Sequence, residues 1–215
     1  KTLIYITYNL LTVKFFMKIK LLDNATCDAA KEYMFDLLNR NLLENEKKHR
    51  FGPDNDKSYK LYSDVFFRDI ALKTQPQLEE AYGFKLYPTY TFTRLYKEGF
   101  ILRPHVDRPA CEYSSTITIA YGDRDHPWEF YVEENNETKE YILESGEGVL
   151  YSGRELPHWR FPLDKGWQIQ TFVHYIKMHG DVYDILKYDY PDFPFHKPFQ
   201  DFIIDDKGMS HLKQN

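Results

Sequence analysis

Cysteine is scarce in this chain, with only two among 215 residues. Cys27 and Cys111 lie far apart, so the sequence has neither the paired cysteines of a disulfide-rich secreted domain nor the closely spaced cysteines of a zinc site. Isolated cysteines of this kind are typical of proteins in a reducing compartment, where they usually serve in packing. The composition therefore predicts a cytoplasmic protein without disulfides.

A basic excess is missing as well, because 28 Lys and Arg are outnumbered by 33 Asp and Glu, for a net charge of −5. Binding to a nucleic-acid backbone calls for a basic surface, so the sequence disfavours a nucleic-acid partner.

The apolar run at residues 1–16 is interrupted by Lys14 and falls short of the roughly 20 residues of a membrane-spanning helix. We expect no membrane association, and we interpret residues 1–16 as an upstream extension of doubtful origin before a natural start at Met17.

Residues 17–215 suffice for a single domain, since 42% of the chain is hydrophobic and 17% is aromatic. Over residues 86–177, short β-branched and aromatic runs alternate with turn residues, and residues 113–121 alternate apolar and polar side chains. This pattern predicts a mainly β barrel or jelly roll as the catalytic core. Upstream, apolar residues at helical spacing predict one helix within 26–47 and a shorter one at 63–72, both packed on the outside of the barrel.

His105 and Asp107 form the most informative motif. Residues i and i+2 of a strand point to the same side, so these two side chains share one face where the run at 100–103 ends. His158 follows the run at 148–151, and antiparallel strands can return it beside the first pair. Two imidazoles and a carboxylate can occupy one face of an octahedral metal ion and leave the opposite face open. A surface histidine beside a solvated aspartate is the alternative, and the flanking strands favour the metal site.

The stretch from Tyr96 to Ile176 carries further features in a fixed order. Gly99 precedes the His-x-Asp motif, the strand at 148–151 precedes His158, and the run at 168–173 closes the stretch. In order and spacing these features resemble the catalytic core of the 2-oxoglutarate and Fe(II)-dependent dioxygenases, and within them the prolyl-4-hydroxylase-like branch. The resemblance implies a double-stranded β-helix, a cupin-like jelly roll with flanking helices. It also implies that His105, Asp107 and His158 bind Fe(II), with 2-oxoglutarate and dioxygen as co-substrates.

One position departs from the family pattern. The family usually places an arginine or lysine about ten residues after the distal histidine, where it pairs with the far carboxylate of 2-oxoglutarate. This chain has Gln168 there, and no arginine occurs between Phe161 and Asn215. Burying a carboxylate without a cationic partner is costly, so another cation has to reach it if 2-oxoglutarate binds.

Three arginines near the motif are candidates for that cation. Arg94 is the preferred prediction, Arg160 is the next and could instead hold the substrate, and Arg103 is a third candidate. Tyr96 is expected to face the barrel interior near the co-substrate, with a purely structural aromatic as the alternative. The predicted co-substrate residues are Tyr96, Arg94, Gln168, Arg160 and Thr171.

The reaction implied by the resemblance couples oxidative decarboxylation of 2-oxoglutarate to hydroxylation of a C–H bond, with the metal and co-substrate supplying the chemistry. A peptidyl proline, a free amino acid or another small metabolite all stay open as substrates. A second hypothesis is a cupin-like metal-binding jelly roll, an isomerase or small-molecule binding protein without oxygenase activity. The missing basic residue favours this alternative, whereas the His-x-Asp ligand set counts against it.

Overall fold

The fold is taken from a computed structural model, which describes residues 17–45, 57–134 and 137–187, together with the backbone of 202–204 and 210–212. The extension predicted at residues 1–16 lies outside the described residues. In chain order the described strands are β1 (Met17–Lys20), β2 (Glu44–Asn45), β3 (Ser58–Tyr62), β4 (Leu86–Lys97), β5 (Leu102–His105), β6 (Tyr113–Gly122), β7 (Phe130–Glu134), β8 (Glu137–Tyr141), β9 (Glu147–Tyr151), β10 (His158–Arg160), β11 (Trp167–Lys177), β12 (Phe202–Ile204) and β13 (Ser210–Leu212).

Two antiparallel sheets form the barrel. The larger has seven strands in the order β1-β9-β6-β11-β4-β3-β2, and the smaller has four in the order β5-β10-β7-β8. Aromatic contacts join their inner faces, since Tyr96 of β4 lies 5.2 Å from Trp128 and Tyr151 of β9 lies 4.9 Å from His158 of β10, measured between ring centroids. The predicted jelly roll, a mainly β double-stranded helix with flanking helices, is confirmed.

Two helices cover the larger sheet. In α1 (Asn24–Asn39) and α2 (Val65–Tyr82), the first turns are capped by aspartates: Thr26 N–H donates to Asp23 at 2.7 Å, and Phe66 N–H donates to Asp64 at 2.9 Å. A third helix, α3 (Tyr183–Leu186), is a single turn. None of the helices in the described ranges is both long enough and apolar enough to cross a membrane.

The helix lengths expected from the sequence are wrong in both cases. The first helix ends at residue 39 instead of continuing toward 47, because Asn41 adopts the left-handed backbone with φ 54°. The second continues to residue 82 instead of stopping near 72. It contains Pro76, but its buried face continues through Thr74, Leu78 and Tyr82, and it ends at Gly83 with φ 78°.

The main apolar core lies between these helices and the outer face of the larger sheet, as predicted for the outside of the barrel. Met34 and Phe67 of the helices pack in one cluster with Leu95, Ile169 and Val173 of the sheet, all nearly inaccessible to solvent. Alternation then turns the neighbouring residues of each strand toward the barrel interior. This alternation decides which polar side chains can reach a metal or co-substrate.

Candidate metal centre

The three predicted metal ligands come together at the ends of two neighbouring strands. His105 ends β5, His158 begins β10, and the two residues are direct partners in the antiparallel pairing of these strands. Asp107 lies just beyond β5, where its N–H donates to the carbonyl oxygen of Gly153 at 2.8 Å. Strand pairing and a backbone hydrogen bond therefore bring the three residues together.

The ligand atoms are spaced as one metal ion requires. Oδ1 of Asp107 lies 3.7 Å from Nε2 of His105 and 3.6 Å from Nε2 of His158. One ligand atom from each of the three residues lies within 4.8 Å of the others. Ligands at about 2.1 Å from a metal and at right angles to each other are about 3 Å apart, so small side-chain adjustments bring these atoms onto one ion.

Backbone carbonyls orient both imidazoles. Nδ1 of His105 lies 2.8 Å from the carbonyl oxygen of Arg103, and Nδ1 of His158 lies 2.9 Å from that of Leu156. A carbonyl oxygen only accepts, so Nδ1 carries the proton in each ring and Nε2 carries the lone pair. Metal-binding histidines are commonly held in this way by a hydrogen bond at the other nitrogen.

The electrostatics favour the forms of His105 and Asp107 that bind a divalent cation. Burial, with the neighbouring His158 adding to it, lowers the pKa of His105 to about 4, so this imidazole is neutral at pH 7. Burial alone would raise the pKa of Asp107, but the charge and hydrogen bonding of His158 and the nearby His105 outweigh it and lower that pKa to about 2. The donor set fits a divalent transition metal such as Fe(II).

Arg160 is the most unusual side chain near this centre. It is 1% exposed and lies two residues after His158 on β10, so both side chains point into the barrel. Its Nη1 donates to the carbonyl oxygens of Trp128 and Glu129, and the guanidinium stacks on the rings of Trp128 and Phe130. Within the described part of the chain, Nε and Nη2 are buried and have no hydrogen-bond partner. Burial lowers the pKa of Arg160 to about 10, which still leaves it charged at neutral pH.

Gln168, at the position where the family resemblance expects a basic residue, is held by its neighbours. Its side-chain oxygen accepts from the N–H of Trp128 at 2.7 Å, and its amide donates to Gln170 at 2.8 Å. It lies opposite Tyr96 in the pairing of β11 with β4. Trp128 therefore contacts both Gln168, through its N–H, and Arg160, through its carbonyl oxygen.

The remaining predicted co-substrate residues fall on different faces. Tyr96 is 1% exposed, and its ring packs against Phe100 and Trp128 inside the barrel, as predicted. Arg94 also points inward, where its guanidinium stacks on Tyr96 and Phe100. Thr171 lies on the opposite, helix-covered face, and its hydroxyl pairs with that of Thr93 at 2.8 Å. The structure thus places Tyr96, Arg94, Gln168 and Arg160 inside the barrel and leaves Thr171 on the opposite face.

Three residues near the centre were not singled out from the sequence. Trp128 links Gln168 to Arg160, and Tyr151 packs against His158. Gly153 allows the close approach of Asp107, since a Cβ there would lie 2.3 Å from Oδ2 of the carboxylate. Of these, only Gly153 carried a sequence signal, as a glycine in the turn that leads to His158.

Comparisons with known proteins find relatives by structure alone. No family model matches the sequence, and no curated protein matches it. A prolyl-4-hydroxylase from Pseudomonas putida superposes with a TM-score of 0.59 at 12% identity, over 78% of this chain and 95% of that chain. HygX from Streptomyces hygroscopicus, with nickel and 2-oxoglutarate bound, gives 0.58 at 12% identity, over 77% and 84%. SnoN, a non-haem α-ketoglutarate-dependent epimerase from nogalamycin biosynthesis, gives 0.60 at 11% identity, over 76% and 78%.

Proposed function

We propose that this chain, which has the fold of the 2-oxoglutarate and Fe(II)-dependent oxygenases, is itself such an oxygenase and hydroxylates an organic substrate. The observation that carries the proposal is the centre formed by His105, Asp107 and His158, in which the ligand atoms of two imidazoles and a carboxylate converge. Fe(II) bound there would activate dioxygen, and 2-oxoglutarate would supply electrons for the reaction. No protein side chain can perform this oxidation.

The task of the three ligands is to hold the metal from one side only. The carbonyls of Arg103 and Leu156 fix the two imidazoles with Nε2 toward Asp107, and the Gly153 carbonyl fixes the backbone of Asp107. A facial set of this kind leaves three positions for the co-substrate and dioxygen. The ligand side chains are only 8%, 16% and 3% exposed for His105, Asp107 and His158, and low exposure strengthens electrostatic interactions.

We assign the far carboxylate of 2-oxoglutarate to Arg160. A buried guanidinium with two unpartnered donors, counted over the described residues, is an expensive feature unless an anion binds it. Nε and Nη2 are adjacent donors on one edge of the guanidinium, the geometry that binds a carboxylate through two parallel hydrogen bonds. His158 and Arg160 lie about 7 Å apart along their strand, short enough for one small diacid to reach both the metal and the cation.

The other candidates are less suited to this role. Arg94 donates to the hydroxyl of Ser58 on β3 and is stacked among three aromatic rings, Phe92, Tyr96 and Phe100. Gln168 has no charge, and its amide is engaged in the network with Trp128 and Gln170. We therefore propose that Gln168 and Tyr96 line the co-substrate pocket and that Arg160 supplies its charge.

The substrate is either a small molecule or a peptidyl residue, and we propose no nucleic-acid partner. The excess of acidic residues supports this exclusion. A cytoplasmic location belongs to the same proposal, and it is supported by Cys27 and Cys111, both in the described part of the chain and not joined by a disulfide.

Linked binding tests the proposal. In calorimetric titrations of 2-oxoglutarate with Mn²⁺ as a redox-stable substitute for Fe(II), binding should be strong with the metal and at least about tenfold weaker without it, since the metal holds one end of the diacid. His158→Ala should abolish this metal dependence. Equal binding with and without metal in the wild-type protein would refute the assignment. It would instead favour the second hypothesis, a metal-binding jelly roll without oxygenase activity.

A further inference from the structure

Asp107 belongs to a second group of potential metal ligands. One ligand atom from each of Asp107, Cys111 and His174 lies within 4.8 Å of the other two. Cys111 ends the short 3₁₀ turn at Pro109–Cys111, and His174 is on the inward face of β11. Cys111 is 1% and His174 4% exposed, so this group lies inside the protein beside the triad.

The ring of His174 is oriented as a metal ligand would be. Oγ of Ser114 donates to the carbonyl oxygen of Cys111 at 3.2 Å and lies 2.7 Å from Nδ1 of His174. When the single hydroxyl proton is directed to this carbonyl, Oγ accepts from Nδ1–H of the histidine. The other ring nitrogen, Nε2, then carries the lone pair. This is the arrangement found at His105 and His158, with a hydroxyl in place of a carbonyl as acceptor.

The sulfur of Cys111 receives support from a buried phenol. The hydroxyl of Tyr90 lies 2.9 Å from Sγ and accepts a hydrogen bond from Nε of Arg108 at 3.2 Å. The guanidinium of Arg108 also lies over the Tyr90 ring at 4.2 Å. With its oxygen already accepting from a cation, the phenol can donate its own proton to the sulfur. The polar contact with Tyr90 holds the sulfur in place beside the other two potential ligands.

The two oxygens of the Asp107 carboxylate have different surroundings. Its Oδ1 faces Nε2 of His105 and His158, as described above. Oδ2 is buried and, within the residues that the structure describes, has no hydrogen-bond partner. It faces Gly153 on the side of the Cys111 backbone, because a Cβ on Gly153 would approach both Oδ2 and the Cys111 carbonyl. A buried carboxylate oxygen without a partner is costly, and a cation would satisfy it.

We propose that Asp107, Cys111 and His174 form a second metal site that shares the Asp107 carboxylate with the triad and selects a thiophilic ion. A donor set of one sulfur, one nitrogen and one oxygen suits Zn²⁺ or Cd²⁺, whereas the triad with nitrogen and oxygen donors suits Fe(II) or Mn²⁺. This site does not depend on the oxygenase proposal, because it concerns metal binding alone.

Titration of the metal-free full chain with Cd²⁺ tests the second site, since a cadmium–thiolate bond gives ultraviolet charge-transfer absorption. The wild-type protein should bind two ions per chain and show this absorption. Cys111→Ser should bind one ion without it, and His174→Gln should weaken the absorbing site at least about tenfold. Cys27→Ser is the matched control, because Cys27 is equally buried but lies on α1. This control should behave like the wild type.

Mn²⁺ binding to the triad, measured in the same variants, verifies that each variant is folded. Absence of thiolate absorption in the wild-type protein would overturn the proposal. So would absorption that survives in Cys111→Ser, or a stoichiometry of one ion per chain with the absorption present. If Cys111→Ser does not fold, the comparison of His174→Gln with the wild type decides the question in the same way.

Discussion

Replacement of Arg160 by methionine should separate binding of 2-oxoglutarate from stability of the fold. Methionine has a similar length and can fill the space between Trp128 and Phe130 without a charge. Replacing buried charges with apolar residues is often neutral or stabilising by about 1–4 kcal/mol, and losing the hydrogen bonds to the Trp128 and Glu129 carbonyls offsets part of that gain. Without ligands, the free energy of unfolding of the variant should therefore lie within about 2 kcal/mol of the wild-type value.

The effect on 2-oxoglutarate should be much larger. Two hydrogen bonds from Nε and Nη2 to a carboxylate contribute about 1.5–3 kcal/mol each, so their loss should weaken binding on the order of 100-fold or more. At a co-substrate concentration of 100 times the wild-type Kd, the wild-type protein gains about 2.7 kcal/mol of stability from the ligand. A 100-fold weaker variant gains only about 0.4 kcal/mol under the same conditions.

Denaturant unfolding with Mn²⁺ present, with and without 2-oxoglutarate, measures both effects in one experiment. Arg103→Met is the matched control, because Arg103 precedes His105 by two residues but has an exposed side chain. In Arg103→Met, 2-oxoglutarate should raise the free energy of unfolding by as much as in the wild type. A keto acid without the second carboxylate, such as 2-oxopentanoate, should bind Arg160→Met and the wild type equally. If Arg160→Met binds 2-oxoglutarate within about threefold of the wild type, the assignment of Arg160 is wrong.

Three further predictions follow from the same contacts. Gly153→Ala would place a Cβ 2.3 Å from Oδ2 of Asp107, so the affinity for Mn²⁺, measured by calorimetry, should fall at least about tenfold. The circular dichroism spectrum should stay unchanged. An unchanged Mn²⁺ affinity would contradict the described packing. In the metal-free protein, burial lowers the pKa of His105 and His174 to about 4, so the unfolded chain takes up protons first and stability should fall from pH 7 toward pH 4. Equal denaturation midpoints at pH 7 and pH 5 would refute this. Asp64→Ala removes the cap of α2 and should cost about 1 kcal/mol in thermal unfolding without changing Mn²⁺ affinity.

The convergence of His105, Asp107 and His158 was predictable because it depends on local rules. Strand alternation predicts one side for His105 and Asp107, and Asp107 meets that expectation although it lies just beyond β5. Antiparallel pairing returns His158 opposite His105. The same rule applied to β11 separates Gln168 from Thr171, since an even and an odd position of one strand face opposite sides. The assignment of Thr171 to the co-substrate pocket could therefore have been avoided from the sequence.

The sequence named Arg160 as the second candidate for the cation after Arg94, and our preference for Arg160 depends on how the two sheets pack. Trp128, in the connection before β7, contacts both Gln168 and Arg160. A contact of this kind between sheets has no periodic signature. The prediction that residues 17–215 form a single domain with its catalytic core at 86–177 stays a prediction.

Anaerobic absorption spectroscopy with Fe(II) and 2-oxoglutarate tests the central claim most directly. The wild-type protein should show a visible charge-transfer band that requires both components and is absent in Asp107→Ala. The band should disappear when oxygen is admitted, with release of succinate. Absence of the band at saturating Fe(II) and 2-oxoglutarate, in a protein that binds Mn²⁺ at the triad, would contradict the account.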